Sequence, residues 1–153
     1  MTESAIPGSR PLLFSIPTRV YWEDTDAGGV VYHAQYLAFL ERARSEWLRA
    51  QGYGQERMRH DHDLVFAVRS MQLDFLRPAR LDDLLDVGVR VRQCKRASVT
   101  FAQTIVRQGA DGGETLLTAE VRVAALRASG FNPVALPDAL YRAFKSLEPS
   151  PNE

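Results

Sequence analysis

Residues 34–51 are the one long stretch of helical periodicity in the chain, and they limit the folds open to it. On a helical wheel Tyr36, Leu37, Phe39, Leu40, Ala43, Trp47, Leu48 and Ala50 cover roughly half the circumference. Arg42, Glu46 and Arg49 take the remaining face, with Arg42 and Glu46 spaced to pair. Gly52 supplies the stop. A helix with so wide an apolar arc needs an apolar surface that curves around it.

The rest of the apolar pattern has period two, the period of strands. Phe14, Ile16, Thr18, Val20 and Trp22 share one face of a first strand. After a polar loop, Leu64, Phe66 and Val68 alternate, then Met71, Leu73 and Phe75 alternate in the opposite phase, which predicts a bulge near Arg69 and Ser70. Leu85, Val87, Val89 and Val91 form a further set, and Val99, Phe101 and Ile105 another, interrupted by Gln103. The turn GADGGE (109–114) precedes Leu117, Ala119, Val121, Val123 and Ala125. Pro137 and Asp138 open a short C-terminal helix through about Phe144. One long helix must therefore cover about five strands, and an antiparallel sheet wrapped around it is the economical α+β solution. The edges and second face of that sheet would stay bare in a monomer, so an oligomer is expected.

A chain of 153 residues suits a single domain, here taken as 1–153 with loose tails at about 1–11 and 148–153. Lys plus Arg and Asp plus Glu both number 19, a balance that disfavours a dedicated nucleic-acid binder. Cys94 is the only cysteine, so neither an internal disulfide nor a cysteine zinc cluster can form. No apolar run reaches membrane-spanning length, and MTESAIPGSRPLLF lacks a signal-peptide core; a cytoplasmic protein is expected.

Chemistry concentrates in YWEDTDAGGVVYHAQY, where the first strand gives way to the long helix. A helix start presents unpaired backbone N–H groups and a positive dipole end, which suit an oxyanion. Gly28 and Gly29 let the backbone turn tightly beside a ligand. Asp26 suits a nucleophile or a general base, and His33 can take or give a proton near neutral pH.

Other readings fit parts of the same segment. The acids can serve only as caps for the helix, with His33 as surface decoration. Asp24, Asp26 and Gly29 fall on the first, third and sixth positions of a calcium loop, but Gly28 and Gln35 stand at the fifth and twelfth, without the bidentate glutamate. DTD after an apolar strand suggests phosphotransfer, yet the alternation of parallel strands and helices is missing. His60, Asp61, His62 and Asp63 are the one further metal candidate, and an exposed polar loop explains them more simply.

VYWEDTDAGGVVYHAQYLAFLERARSEWL, continued through FAVRSMQLDFLRPARLDDLLDV, resembles the hotdog acyl-CoA thioesterases of the 4-hydroxybenzoyl-CoA thioesterase superfamily. Within it the likeness is greatest to the YbgC-like, Tol–Pal-associated subfamily, and it thins after about Leu126. The resemblance implies a hotdog fold whose strands pair across a dimer, with dimers often forming tetramers. It implies hydrolysis of an acyl-CoA thioester with no metal and no cofactor, with Asp26 as the catalytic carboxylate and His33, seven residues on, assisting. Gly28, Gly29, Tyr32 and Tyr36 would contact the substrate, with Phe39 a further candidate for the acyl pocket. Arg90, Arg92, Lys95, Arg96 and Ser98 match a basic-and-small segment with which such enzymes hold the CoA phosphates, although each also suits a solvated turn. An acyl carrier protein is a further candidate partner. Two other functions stay open: a hotdog hydratase or dehydratase, which favours an Asp-to-His spacing of five, and a non-hydrolytic acyl-CoA or acyl-carrier-protein binding module.

Overall fold

The computed structural model describes residues 14–109 and 112–150. The expected N-terminal arm, two residues of the GADGGE turn and the last three residues lie outside that range. Five antiparallel strands form one sheet in the order β1-β3-β4-β5-β2. They are β1 (Phe14–Arg19), β2 (Leu64–Phe75), β3 (Leu84–Lys95), β4 (Ser98–Arg107) and β5 (Glu114–Arg127). The phase slip in β2 is a register shift between Val68 and Ser70, and a second one falls between Val91 and Gln93 of β3. Each lets its strand bend while its apolar residues stay on the core side.

The long helix is α1 (Gln35–Ala50). Tyr36, Phe39, Leu40, Ala43, Trp47 and Leu48 are buried against the sheet, and the Trp47 ring meets Phe101 of β4 edge-on at 5.3 Å. Gly52, at φ +89°, ends the helix: its N–H donates to the Arg49 carbonyl and that of Tyr53 to Leu48, a Schellman closure. The surface pair on this helix is Glu46 with Arg49, not with Arg42, whose guanidinium lies 6.0 Å from the centre of the Phe39 ring.

Among the described residues three α-helices are present where one long helix and a short C-terminal one were expected. The polar segment before β2 is helical, α2 (Gln55–His62), held by the buried Met58 and closed by Asp63 in the left-handed region. The C-terminal helix is α3 (Asp138–Lys145), anchored by Leu140 and Phe144. Beyond it, where a fraying tail was expected, the Glu148 carboxylate accepts the Cys94 N–H at 2.6 Å and the Lys145 ammonium at 3.1 Å. No helix among the described residues is long and apolar enough to cross a membrane.

Candidate active site

Strand β1 stops at Arg19, earlier than its alternation predicts. Trp22 does not continue the core face. It opens a 3-10 turn (Trp22–Asp24) and is 80% exposed. From there to the start of α1 the chain forms a closed loop. The Asp26 N–H donates to the Val30 carbonyl at 2.9 Å and the Gly29 N–H returns to the Asp26 carbonyl at 3.0 Å. Thr25 and Val31 bridge across the loop's neck. Gly29 sits at φ +80°, where a side chain would be strained, which is why the sequence needs glycine at this turn. Gly28 donates its N–H to Asp26 Oδ1 at 2.8 Å, and an added Cβ there would approach that oxygen to 3.1 Å.

The two carboxylates of DTD have opposite environments. Asp26 is exposed; its Oδ1 accepts the Gly28 N–H, and among the described residues it joins no ion pair. Asp24 is buried, and both of its oxygens accept hydrogen bonds, one from the Tyr21 N–H and one from the Gln35 side-chain amide, each at 2.8 Å. Sequence spacing did not distinguish these two acids as buried and exposed.

His33 lies exposed in the turn before α1 with its ring centre 4.5 Å from that of Tyr32. No hydrogen bond joins it to Asp26 among the described residues. Helix α1 has no side-chain cap, and none of the described hydrogen bonds uses the N–H of His33 or Ala34. Those two donors are left for a ligand or water.

A second tie holds the loop to the connection between β2 and β3. The Val31 N–H donates to the Ala79 carbonyl at 2.8 Å, Val30 bridges Arg80, and the Ala79 N–H donates to the buried Tyr36 hydroxyl at 2.9 Å. The Tyr36 ring also contacts Phe39 and the half-exposed Phe75 of β2. Ala79 carries no sequence signal of a site, and Gln35 is marked in the sequence only as the twelfth position of a calcium loop, not as a partner of Asp24. Tyr36 was expected at the acyl pocket, and its hydroxyl serves here as a backbone acceptor.

The basic residues of the β3–β4 hairpin do not converge. Arg92 pairs with Glu120 at 3.4 Å; Arg96 pairs with Asp138 at 3.2 Å and lies 4.4 Å over the Tyr141 ring. Arg90 is half-buried, Lys95 exposed and Ser98 buried. Lys95 lines a cleft of about 360 Å³ with Ser70, Gln93, Thr100, Glu120 and Arg122. Glu120 and Arg122 flank the buried Val121, so this cleft opens on the sheet face turned away from the core. Neither Asp26 nor His33 lines it.

The HDHD residues form no metal-holding group among the described residues: His60 contacts its neighbour Asp61 at 3.1 Å, Arg57 reaches Asp61 at 3.4 Å, and Asp63 accepts the backbone N–H and hydroxyl of Ser129. Two buried groups away from the loop are shifted. Burial lowers the Arg44 guanidinium, which Glu41 partly offsets, and Arg44 donates to the neutral Gln103 at 3.0 Å. Burial, with the nearby Glu148 charge, pushes the Cys94 thiol up to about 11.

The sheet is backed by a long helix, and an exposed carboxylate stands in the loop at that helix's start. The chain belongs to the thioesterase-like superfamily, whose family model matches residues 20–144. It is 43% identical over 135 residues to an acyl-CoA thioesterase YbgC of Haemophilus influenzae, covering 88% of this chain and 96% of that protein. Among solved structures, a probable thioesterase from Bartonella henselae is 38% identical with a TM-score of 0.70, covering 82% of this chain and 98% of the other. A 4-hydroxybenzoyl-CoA thioesterase mutant, solved with 4-hydroxybenzoyl-CoA, shares the fold at 17% identity and a TM-score of 0.80, covering 87% and 98%.

Proposed function

We propose that this thioester hydrolase cleaves acyl-CoA to the free acid and CoA, with Asp26 as its catalytic carboxylate. Asp26 attacks the thioester carbonyl to give a mixed anhydride that water then hydrolyses to the free acid, or it takes a proton from the water that attacks the carbonyl directly. In either case the carbon–sulfur bond breaks, and the thiol of CoA leaves with a proton. The carbonyl oxygen gathers charge in the transition state and is met by the N–H groups of His33 and Ala34 at the start of α1; losing one such donor costs ~10²–10³ in rate. His33 orients the thioester or carries the proton to the leaving sulfur.

One observation carries this reading. An accessible carboxylate, oriented by the Gly28 N–H and outside any described ion pair, stands in the loop that delivers a helix start with two uncommitted backbone donors. A capping acid would spend its oxygens on that helix. Asp24 gives one oxygen to the Gln35 side chain on α1; Asp26 gives neither.

Gly28, Gly29, Tyr32 and Tyr36 border the reacting group, and Arg90, Arg92, Lys95, Arg96 and Ser98 offer cations and a hydroxyl to the CoA phosphates. A partner subunit would complete the acyl pocket. Strand β2 is an edge of the sheet; Val68 (49%) and Phe75 (53%) on it and Leu76 (55%) just past its end are exposed, surface that pairing with a second copy would cover. Sedimentation showing only monomer under assay conditions would remove that part. The test of the chemistry is thiol release from a panel of acyl-CoAs: Asp26→Asn is expected to lower kcat by at least ~10²-fold. Unchanged turnover would sink the assignment.

A further inference from the structure

We propose that Asp24, the buried acid of DTD, is a positioning residue for the hydrolysis: its carboxylate clamps the 3-10 turn to the first residue of α1 and so fixes where Asp26 stands relative to the helix start. The role rests on the reading of Asp26 given above. Asp24 is 6% exposed, and no cation pairs with it among the described residues. Burying a carboxylate without a counter-ion is costly unless every lone-pair site it exposes to the protein is used. Here Oδ2 takes the Tyr21 N–H and Oδ1 takes the Gln35 amide.

The backbone of the same residue closes the knot. Its N–H donates to the Tyr21 carbonyl at 3.0 Å, and its carbonyl accepts the Tyr32 N–H at 3.0 Å. Asp24 therefore joins three segments that flank the Asp26 loop: the turn before it, the chain after it and the first residue of α1. Asp26 lies only two residues beyond this neck, in a loop whose other hydrogen bonds are internal, run from Thr25 back to the Trp22 carbonyl, or reach to residues 79 and 80. Loosening the neck lets the loop pivot against α1 without unfolding the sheet. In a reaction that needs a carboxylate and an oxyanion site on the same carbonyl, a displacement of about 1 Å can cost ~10²-fold.

The residue type fits this task. Both facing groups are donors, and a carboxylate is acceptor-only at both oxygens. The side-chain amide of Gln35 can turn to present either its oxygen or its nitrogen, so the contact can be rebuilt with its polarity reversed.

The experiment measures kcat, KM and melting temperature of the full chain on one soluble acyl-CoA for Asp24→Ala, Gln35→Glu, the double variant Asp24→Asn with Gln35→Glu, and Asp26→Asn. Gln35→Glu sets two carboxylates against each other while adding an acid to the first turn of a helix, where acids are favourable. It is expected to stay folded and lose about 10–100-fold in kcat, with KM changed by less than about threefold. Asp24→Ala should lose a similar factor. In the double variant the Asn amide donates to the new Glu carboxylate and its oxygen accepts the Tyr21 N–H, so kcat should return to within about threefold of the parent. A folded Gln35→Glu protein with undiminished kcat, or a double variant as slow as that single one, overturns the positioning role. Full activity in Asp26→Asn instead removes the catalytic reading and this role with it.

Discussion

The junction between β1 and α1 and the hairpin between β3 and β4 both carry polar residues marked out for the same reaction, yet the fold holds them by different means. At the junction, side chains are fixed by main-chain groups: Tyr21 and Gly28 N–H on the two aspartates, and Ala79 N–H on Tyr36. At the hairpin, Arg92 and Arg96 are held by exposed acids, and Lys95 stands in solvent. Main-chain partners come with the fold and leave one arrangement. Exposed ion pairs are worth little and re-form in many geometries. Bond-breaking needs the first kind of order, and gathering a phosphorylated substrate works with the second.

The contrast is tested most severely at His33. His33→Ala is expected to lower kcat by ~10²–10⁴ if it moves a proton. It should leave the melting temperature nearly unchanged, because the ring's described contact is with the exposed Tyr32 alone. A loss confined to KM would place His33 with the binding residues and blur the division between the two regions.

Next in size is Tyr36→Phe. It removes the acceptor from the Ala79 N–H in a buried position, which costs about 1–3 kcal/mol of stability. Chemical denaturation of parent and variant measures it. No change would mean that water replaces the hydroxyl and that this tie does not hold α1 to the connection between β2 and β3.

How much of each region could be read from the sequence follows from the same difference. The strands and α1 were legible because alternation and the 3.6-residue repeat report directly which side chains are buried. The loop around Asp26 was legible as a candidate site, and the resemblance singled out Asp26 within it, but the burial of Asp24 was not legible. Asp24 and Asp26 are the same residue two positions apart, and only the path of the chain decides which one turns inward. Trp22 was misplaced because it extends the alternation of β1 past the point where the 3-10 turn ends it. Helix α2 went unseen because QERMRHDH buries a single side chain, Met58, too little to set a period. Arg44 was passed over as a charged residue in an apolar arc; its 7% exposure and bond to Gln103 explain why β4 carries a glutamine on its core face.

On its inner side the hairpin is anchored, and this gives a smaller effect that sharpens the comparison. Cys94 is fully buried, and its thiol is raised from 9.0 to about 11 by burial first and by Glu148 second. The folded state keeps the proton longer than the unfolded chain, so the contribution of this group to stability falls as pH rises from about 9 to about 11. Native protein should react with a thiol reagent at pH 8 only at the rate of unfolding, and at once in denaturant. Rapid native labelling would mean that the strand end opens and that both faces of the hairpin are loose.

The smallest effects belong to the outer side of the hairpin. Lys95→Ala and Arg92→Ala are each expected to raise KM for acyl-CoA by about 2–5-fold, an exposed-pair contribution of up to ~1 kcal/mol, with kcat unchanged. Moving from low salt to about 0.15 M should shrink that difference, because the Debye length falls to ~8 Å and exposed charges are screened. Lys95 makes no described ion pair, so its removal should act through substrate alone, whereas Arg92→Ala also releases Glu120 beside the cleft and should repel phosphate further. Comparing the two at both ionic strengths separates a cation that binds from one that neutralises an acid. If either variant lowered kcat as strongly as His33→Ala, the hairpin would have to reach the reacting carbonyl, and the division between the two regions would fail.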